Sequence, residues 1–290
     1  MGIDANIAPN NASALVHLPA LRPACASQAS VLGRMGPLIV RLAASYQEVE
    51  AAMALRYQIF FSGSDNGAGQ DDARDSDGFD DLCDHLLVFD QSIPGPAESQ
   101  IVGTYRLLRE EASLLAGGFY SERAFAVRAL INRHKHRRFL ELGRSCVLPQ
   151  YRSKRTVELL WQGIWAYCRT HKIDVMFGCA SFPGIVPAQH ALPLSFLHHH
   201  ATAKGDWRVD ALGEHAASMD LVPLEAIGMK AALAATPPLV KGYLRLGAKF
   251  GAGAVVDTEF GSTDVFVIVR TEEISDRYLN HYGAAATRFA

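Results

Sequence analysis

The amino-acid sequence predicts a mixed α/β fold, and three features carry that expectation. Residues 138–148, 156–171 and 174–179 read in order as strand, helix and strand, a βαβ unit. The runs 85–90 and 100–108 that precede it are strand-like and close together, an antiparallel meander. With 49% hydrophobic and 20% charged residues in 290, the composition is that of a globular chain long enough for one large core or two modest ones.

Taken in order, residues 1–36 are rich in Ala, Asn, Ser and Pro without a stable period, which predicts a disordered or loosely attached arm. One folded domain is expected over 37–283 with an extended C-terminal half, and 284–290 as a tail. It opens with a short strand at 38–42. Ser45 with Glu48 three residues on has capping-box spacing, and the helix it starts runs to about Phe60, with Val49, Met53 and Phe60 on its apolar side. Between 62 and 80 the composition turns to Gly, Ser, Asp and Asn, too polar to pack, which predicts a long mobile loop.

Pro94-Gly95-Pro96 is the turn of the meander, and Gly143 interrupts the strand at 138–148. Leu159, Leu160, Ile164 and Tyr167 give 156–171 its helical period. The C-terminal part alternates helices at 224–235 and 238–250 with strands at 254–257 and 264–269, and a last helix is expected from near Glu272. There is no internal repeat.

Composition also excludes function classes. A formal net charge of -2 gives no basis for nucleic acid as a partner. Cys25, Cys83, Cys146, Cys168 and Cys179 form no CxxC pair and are too sparse for a disulfide scaffold, so a reducing cytoplasm is expected. Asp4, Pro9 and Pro19 break the order of a signal peptide, and no run nears the roughly 20 apolar residues that span a bilayer. Any contact with the inner membrane surface is therefore peripheral. Lys241, Arg245 and Lys249, spaced by four in the predicted helix 238–250, put their charges on one face. That face either rests on an anionic leaflet or stands in water while the helix covers the sheet.

Three charges interrupt otherwise apolar strands: Arg106, Glu141 and Arg144. An unpaired buried charge costs several kcal/mol, so each needs a partner, and Asp81 and Asp84 precede the first long strand. Such a cluster is either a paired lattice that fixes the sheet or an active site.

The order of the pieces resembles a known group. Arg56 with Phe60 on the first helix, Asp81 and Asp84 after the polar loop, Gly103-Thr-Tyr-Arg106, Phe119, and Glu141-x-x-Arg144 resemble the acyl-homoserine lactone synthases and the related ornithine-lipid N-acyltransferases. The second group is the better fit, through 81–90, Leu140-Glu-Leu-Gly-Arg-Ser-Cys-Val-Leu-Pro-Gln-Tyr-Arg152 and Pro237-Pro-Leu-Val-Lys-Gly-Tyr-Leu-Arg-Leu-Gly247, over about 38–282. A signalling synthase typically carries a Trp soon after the position of Phe60, where this chain has Ser, Gly, Asp and Asn. The resemblance implies a GNAT-like acyltransferase fold, a mixed central sheet flanked by helices. It further implies transfer of a (3-hydroxy) fatty acyl group from acyl carrier protein to the α-amino group of ornithine, giving a lyso-aminolipid. Glutamine, lysine or glycine as acceptor would need only small changes in the pocket.

GNAT enzymes that bind coenzyme A hold its pyrophosphate on a glycine-rich turn, but here that turn is Arg152-Ser-Lys-Arg-Thr-Val157, with Arg155 and Val157 in place of glycines. No bound cofactor is expected. An acyl carrier protein presents one phosphate and an acidic helix, which Arg137, Arg138, Arg152, Lys154 and Arg155 on either side of the strand could steer by charge. Glu141 is the candidate base for the acceptor amine, directly or through water, and backbone N–H groups at the strand irregularity near Gly143 are candidates for the oxyanion. Arg106 and Arg144 either meet the acceptor's carboxylate or hold the acids in place. Asp81 and Asp84 are candidates for its positive charge, and His85 is adjacent.

Two patterns are decoys. Gly143-Arg-Ser145-Cys-Val147 lacks the second glycine of a nucleophile elbow. His198-His-His200 with His190 lacks HExxH or paired-cysteine spacing, so no metal site is expected. The rival readings are a synthase of the acyl-homoserine lactone type, and an inert module that binds acyl carrier protein or lipid.

Overall fold

The computed structural model describes residues 30–61 and 73–274. One sheet contains nine strands among these residues: β1 (Val31–Met35), β2 (Leu38–Leu42), β3 (Asp84–Asp90), β4 (Ile101–Arg109), β5 (Phe139–Val147), β6 (Val175–Pro183), β7 (Ala216–Ala217), β8 (Lys249–Asp257) and β9 (Ser262–Arg270). Their spatial order is β1-β2-β3-β4-β5-β6-β9-β8-β7. The pairing of β5 with β6 is parallel and the others are antiparallel, so the sheet is mixed as expected. The helices are α1 (Tyr46–Phe60), α2 (Glu110–Ser113), α3 (Val127–Arg133), α4 (Lys154–His171), α5 (Ala191–Ala201), α6 (Met229–Ala235) and α7 (Pro238–Arg245).

The period of two along each strand divides the core into faces. Leu140 and Leu142 of β5 turn toward Leu159 and Ile164 of α4 and Val240 and Tyr243 of α7. Phe139, Phe177, Phe266 and Ile268 turn the other way, toward Leu130 and Ile131 of α3. On that second face α1 lays Ala52 and Leu55 against Ile39, Leu87 and Phe89. Ser45 caps α1 as its spacing predicts: its side chain accepts from the Glu48 N–H at 3.2 Å. The Glu48 carboxylate turns to the Ala44 N–H at 2.7 Å and to Arg41.

Three expectations are corrected, and a fourth falls largely outside the described residues. The arm does not extend to residue 36, because Val31–Met35 is the edge strand β1; Gly36, at φ +66°, turns the chain back so that Met35 faces Leu38. Residues 1–29 lie outside the described residues. The end of the polar loop is ordered: Asp75 and Asp80 are buried, held by arginines, while 62–72 lies outside the described residues. The helix expected over 238–250 stops at Arg245, because Gly247 adopts φ +87°, and Lys249 and Phe250 begin β8. Lys249 therefore does not share a helix face with Lys241 and Arg245. Near Glu272 there is one 3-10 turn, and the helix expected beyond it lies outside the described residues. No described helix is long and apolar enough to cross a membrane.

Candidate active site

The parallel pair β5 and β6 is joined only at its beginning, where Phe139, Leu140 and Glu141 face Val175, Met176 and Phe177. Beyond that point the strands part like a fork. Gly178 sits at the branch, where a Cβ would lie 2.2 Å from the Leu142 carbonyl oxygen, so no other residue fits without moving backbone.

The other edge of β5 is irregular as well. Thr104 faces Cys146 but Arg106 faces Gly143, so Tyr105 stands opposite both Arg144 and Ser145, a β-bulge. Arg144 adopts φ +49°, a left-handed conformation that costs a non-glycine residue energy. The irregularity expected near Gly143 is this bulge. A cavity of about 520 Å³ fills the fork, a size that holds a small substrate with part of a second.

One wall of the cavity is cationic and fully countered. Arg56, with no solvent exposure, forms a two-pronged pair with Asp80, Nη1 to Oδ1 at 2.9 Å and Nη2 to Oδ2 at 3.0 Å, and its Nε lies 2.8 Å from Asp75. Arg106 donates from Nη1 to Asp77 at 2.7 Å and Asp80 at 3.3 Å. Arg144 donates from Nε to Asp75 at 2.9 Å and from Nη2 to Asp77 at 3.1 Å. Three arginines thus meet three aspartates. Burial alone would raise the Asp80 carboxyl, but the Arg56 hydrogen bonds and the charges of Arg56 and Arg106 hold it below the ordinary carboxylate range.

Glu141 lies at the base of the fork with its carboxylate enclosed. Oε2 accepts from the Tyr120 N–H at 2.8 Å, and Oε1 accepts from the Ser121 N–H at 2.8 Å and from the Ser121 hydroxyl. Burial pushes the Glu141 pKa up against the pull of those hydrogen bonds and of Arg106. Cys179, across the fork, approaches the Ser121 hydroxyl at 3.5 Å. Burial raises its thiol well above the ordinary value, with Asp264, Glu141 and Asp257 adding repulsion, so it is protonated and no thiolate nucleophile.

The opposite wall is acidic. Asp264 of β9 stands in register with Ser181 of β6, and Asp257 of β8 lies two pairs further along, opposite Ser262. Asp264 accepts from the Ser262 hydroxyl at 2.8 Å. Its pKa is raised by burial and by Asp257, against the Ser181 and Ser262 hydrogen bonds and the more distant Arg144. Asp257 Oδ1 accepts from the N–H groups of Glu259 and Phe260 and shapes the β8–β9 turn. That turn brings the Phe260 ring to 4.7 Å from the Arg144 guanidinium and edge-on to Phe60 at 5.9 Å, which closes the cavity on the α1 side.

The fork therefore brings together Phe60, Arg106, Glu141, Arg144 and Arg152 of the residues predicted from sequence. Arg56 lies behind it, reaching it only through Asp75 and Asp80. Asp81 is exposed, and its neighbour Asp80 takes the inward place, because the 77–80 turn folds that residue over the arginines. Asp84 shares the parity of Leu86 and Val88 and so faces α4, where it accepts from the Tyr167 hydroxyl at 2.5 Å and lies 3.5 Å from Arg109. His85 is buried outside the cavity; its Nε2 donates to the Asp80 carbonyl at 2.9 Å, and burial keeps it neutral. Asp81, Asp84 and His85 thus do not line the cavity.

The basic residues are split. Arg152, Lys154 and Arg155 surround the start of α4, beyond the open end of β5, with Ser153 capping the helix through the Thr156 N–H at 3.3 Å. Arg137 and Arg138 stand at the joined end, where Arg137 pairs with Glu272 at 2.9 Å and Arg138 donates to the His171 carbonyl at 3.0 Å. These two are removed from any donor entering the fork. Sequence reasoning missed Asp75, Asp77, Asp80, Tyr120, Ser121, Asp257 and Asp264.

A second cavity, about 350 Å³, lies among Lys204, Trp207, Lys249 and Arg270, at the joined end of the sheet and away from Glu141. Its arginine and carboxylate, Arg270 and Glu273, are paired with each other, and it lacks the strand opening and enclosed glutamate of the fork, which is therefore the candidate site. His198 and His199, both half-buried, lie 3.9 and 3.0 Å from the exposed Asp220, and the ligand atoms of the three come within 4.8 Å of one another, while His190 bonds the Pro183 carbonyl elsewhere.

Residues 55–162 match the acetyltransferase (GNAT) domain family. An L-ornithine N(alpha)-acyltransferase of Rhizobium meliloti (strain 1021) is 56% identical over 274 residues, covering 93% of each chain. One of Brucella abortus (strain 2308) is 58% identical over 266 residues, 90% of this chain and 94% of its own. A solved N-acyl amino acid synthase from uncultured soil microbes aligns with 83% of this chain and 94% of its own, at 10% identity and a TM-score of 0.48.

Proposed function

This chain belongs to the L-ornithine N(alpha)-acyltransferase family, and from that membership we propose how its fork makes the amide bond. The protein is an N-acyltransferase: it moves a fatty acyl group, 3-hydroxylated in our reading, from a thioester to the α-amine of ornithine, giving a lyso-aminolipid. The observation that carries the mechanism is the opening between β5 and β6, with Glu141 at its base and a bulge on its wall.

The donor is an acyl thioester on acyl carrier protein. Its pantetheine arm enters at the open end past Arg152, Lys154 and Arg155, a cationic rim suited to one phosphate and an acidic helix. The Ser153 cap already occupies N–H capacity that a pyrophosphate would need at α4, which favours this donor over coenzyme A.

The acceptor enters as a zwitterion. Arg106 commits Nη1 to Asp77 and Asp80, while its Nε and Nη2 donate to no described residue, so they are free to take the α-carboxylate. The α-ammonium must lose a proton before its nitrogen can attack. Glu141 receives it through a bridging water, since its oxygens already accept from Tyr120 and Ser121, and its raised pKa suits it to that task.

The nitrogen then adds to the thioester carbon, and the oxyanion is held by N–H groups that the Arg144–Ser145 bulge releases from the ladder. The C–S bond breaks, the carrier's thiolate leaves and takes up the second proton that the nitrogen sheds, Glu141 returns its own proton to solvent, and the amide remains. No acyl-enzyme is formed. Mass spectrometry of lipids from a host lacking aminolipids tests the reading: a new N-acylated ornithine appearing with this chain supports it. A soluble chain that binds acyl carrier protein and yields no new lipid would make it an inert binding module.

A further inference from the structure

The lattice of Arg56, Arg106 and Arg144 is matched by Asp75, Asp77 and Asp80, so it leaves the cavity no surplus of positive charge. Glu141, Asp257 and Asp264 have no such counterpart: among the described residues none of the three has an ion pair within 4.0 Å. All three nevertheless line the one cavity of the fork, together with Cys179 and Ser181. A half-buried space with excess carboxylate favours a cationic guest.

The position of each carboxyl sorts their tasks. Glu141 is enclosed on β5, and the intervening strand β6 presents Cys179 and Ser181 to the same cavity. Asp264 is on β9, two strand spacings from β5, and faces Ser181, four residues along β6 from the Phe177 that faces Glu141, so their backbones stand about 16 Å apart with both side chains lining the space between. Asp264 accepts from Ser262 and is turned into the cavity beside Ser181, with Asp257 diagonal to it on β8. A diamino acid whose α-amine lies near Glu141 has three methylenes with which to carry its second ammonium toward β9.

We propose that Asp264, assisted by Asp257, receives the side-chain ammonium of the acceptor and makes the enzyme selective for a diamino acid. This rests on the acyl-transfer reading above and assigns the specificity of the same site. The carboxyl is costly to ionise in the empty cavity, and a bound ammonium removes that cost, so affinity is concentrated on an acceptor with a second amine. An acceptor without it leaves the carboxyl unmatched, the arrangement by which a polar site rejects an isostere lacking one group.

The test compares ornithine with norvaline, which keeps the three carbons and lacks the amine, for the full chain and its Asp264→Asn and Asp257→Asn variants. Binding is followed by calorimetry, and turnover with acyl carrier protein thioester. The unaltered chain is expected to prefer ornithine by at least about 30-fold, the smaller end of the range for a buried charged pair. Asp264→Asn should remove most of that preference, with a thermal melt of the same preparation reporting its fold; Asp257→Asn should reduce it less. Preference retained in Asp264→Asn, or both acceptors lost in parallel, overturns the assignment. If the unaltered chain acylates neither amino acid, the acyl-transfer reading itself falls, whereas turnover of both without preference removes only the role of Asp264.

Discussion

The two walls of the cavity handle charge in opposite ways. On the α1 side, Arg56, Arg106 and Arg144 hold Asp75, Asp77 and Asp80 in direct pairs of 2.7 to 3.3 Å, and Asp80 is kept ionised below its ordinary range. On the β9 side, Asp264 meets only hydroxyl donors and its pKa rises. A matched lattice maintains shape, and an unmatched carboxyl waits for a ligand. A missing countercharge therefore marks a strand charge as a substrate contact, whereas a matched one such as Arg106 can serve only through the donors its partners leave free.

Mutation of the first wall is expected to give the largest effect on stability. Arg56→Met leaves Asp75 and Asp80 short of a cation and should cost about 3–5 kcal/mol in chemical denaturation. By contrast Asp264→Asn should change stability by less than about 1 kcal/mol, or raise it, because burial already opposes the ionised carboxyl. Equal losses in the two variants would erase the distinction between the walls.

Gly178→Ala probes the branch that separates them. The added Cβ at 2.2 Å from the Leu142 oxygen must push β5 and β6 apart, at an expected cost of about 1–3 kcal/mol with loss of turnover.

Acid separates the walls by sign. Asp80, held low, contributes stability that is present above the unfolded aspartate value of about 3.9 and lost as pH falls through its lower folded value. Glu141, held high, protonates earlier, so activity should fall on acidification through a pH above about 4.3 while the fold persists. Unfolding and rate profiles measured on the same samples distinguish these events. The smallest effect is expected outside the cavity: Lys154→Glu with Arg155→Glu should raise KM for acyl carrier protein by less than about tenfold, and the difference should shrink with salt.

Much of this architecture was legible in sequence. The strands at 85–90, 100–108 and 138–148 and the α4 period are strong because half-buried strands and amphipathic helices repeat at 2 and 3.6 residues. The edge strand β1 was hidden by two glycines and a preceding stretch without pattern, and α7 ended early because Gly247 turns left-handed inside an amphipathic run.

The acids were harder to place. Asp75, Asp77, Asp80 and Asp81 sit in one polar segment, and only the fold decides which of them turns inward. Asp264 did carry a signal: it shares the parity of Phe266 and Ile268, a charge on the buried face of its strand. Tyr120 and Ser121 contribute backbone N–H groups, which a side-chain pattern does not record.

The central claim is that Glu141 accepts the proton of the attacking amine. Glu141→Gln removes the charge at constant size, and its amide can keep the Ser121 contacts while giving up that from Tyr120, so the fold should survive with about 1–2 kcal/mol lost. The measurement is kcat/KM for ornithine with acyl carrier protein thioester, beside a thermal melt of the same preparation. A fall of at least about 100-fold in a folded variant is the expected result, in the range for loss of a general base. A rate within about threefold of the unaltered chain would contradict it and leave Glu141 as the anchor of the Tyr120–Ser121 turn alone.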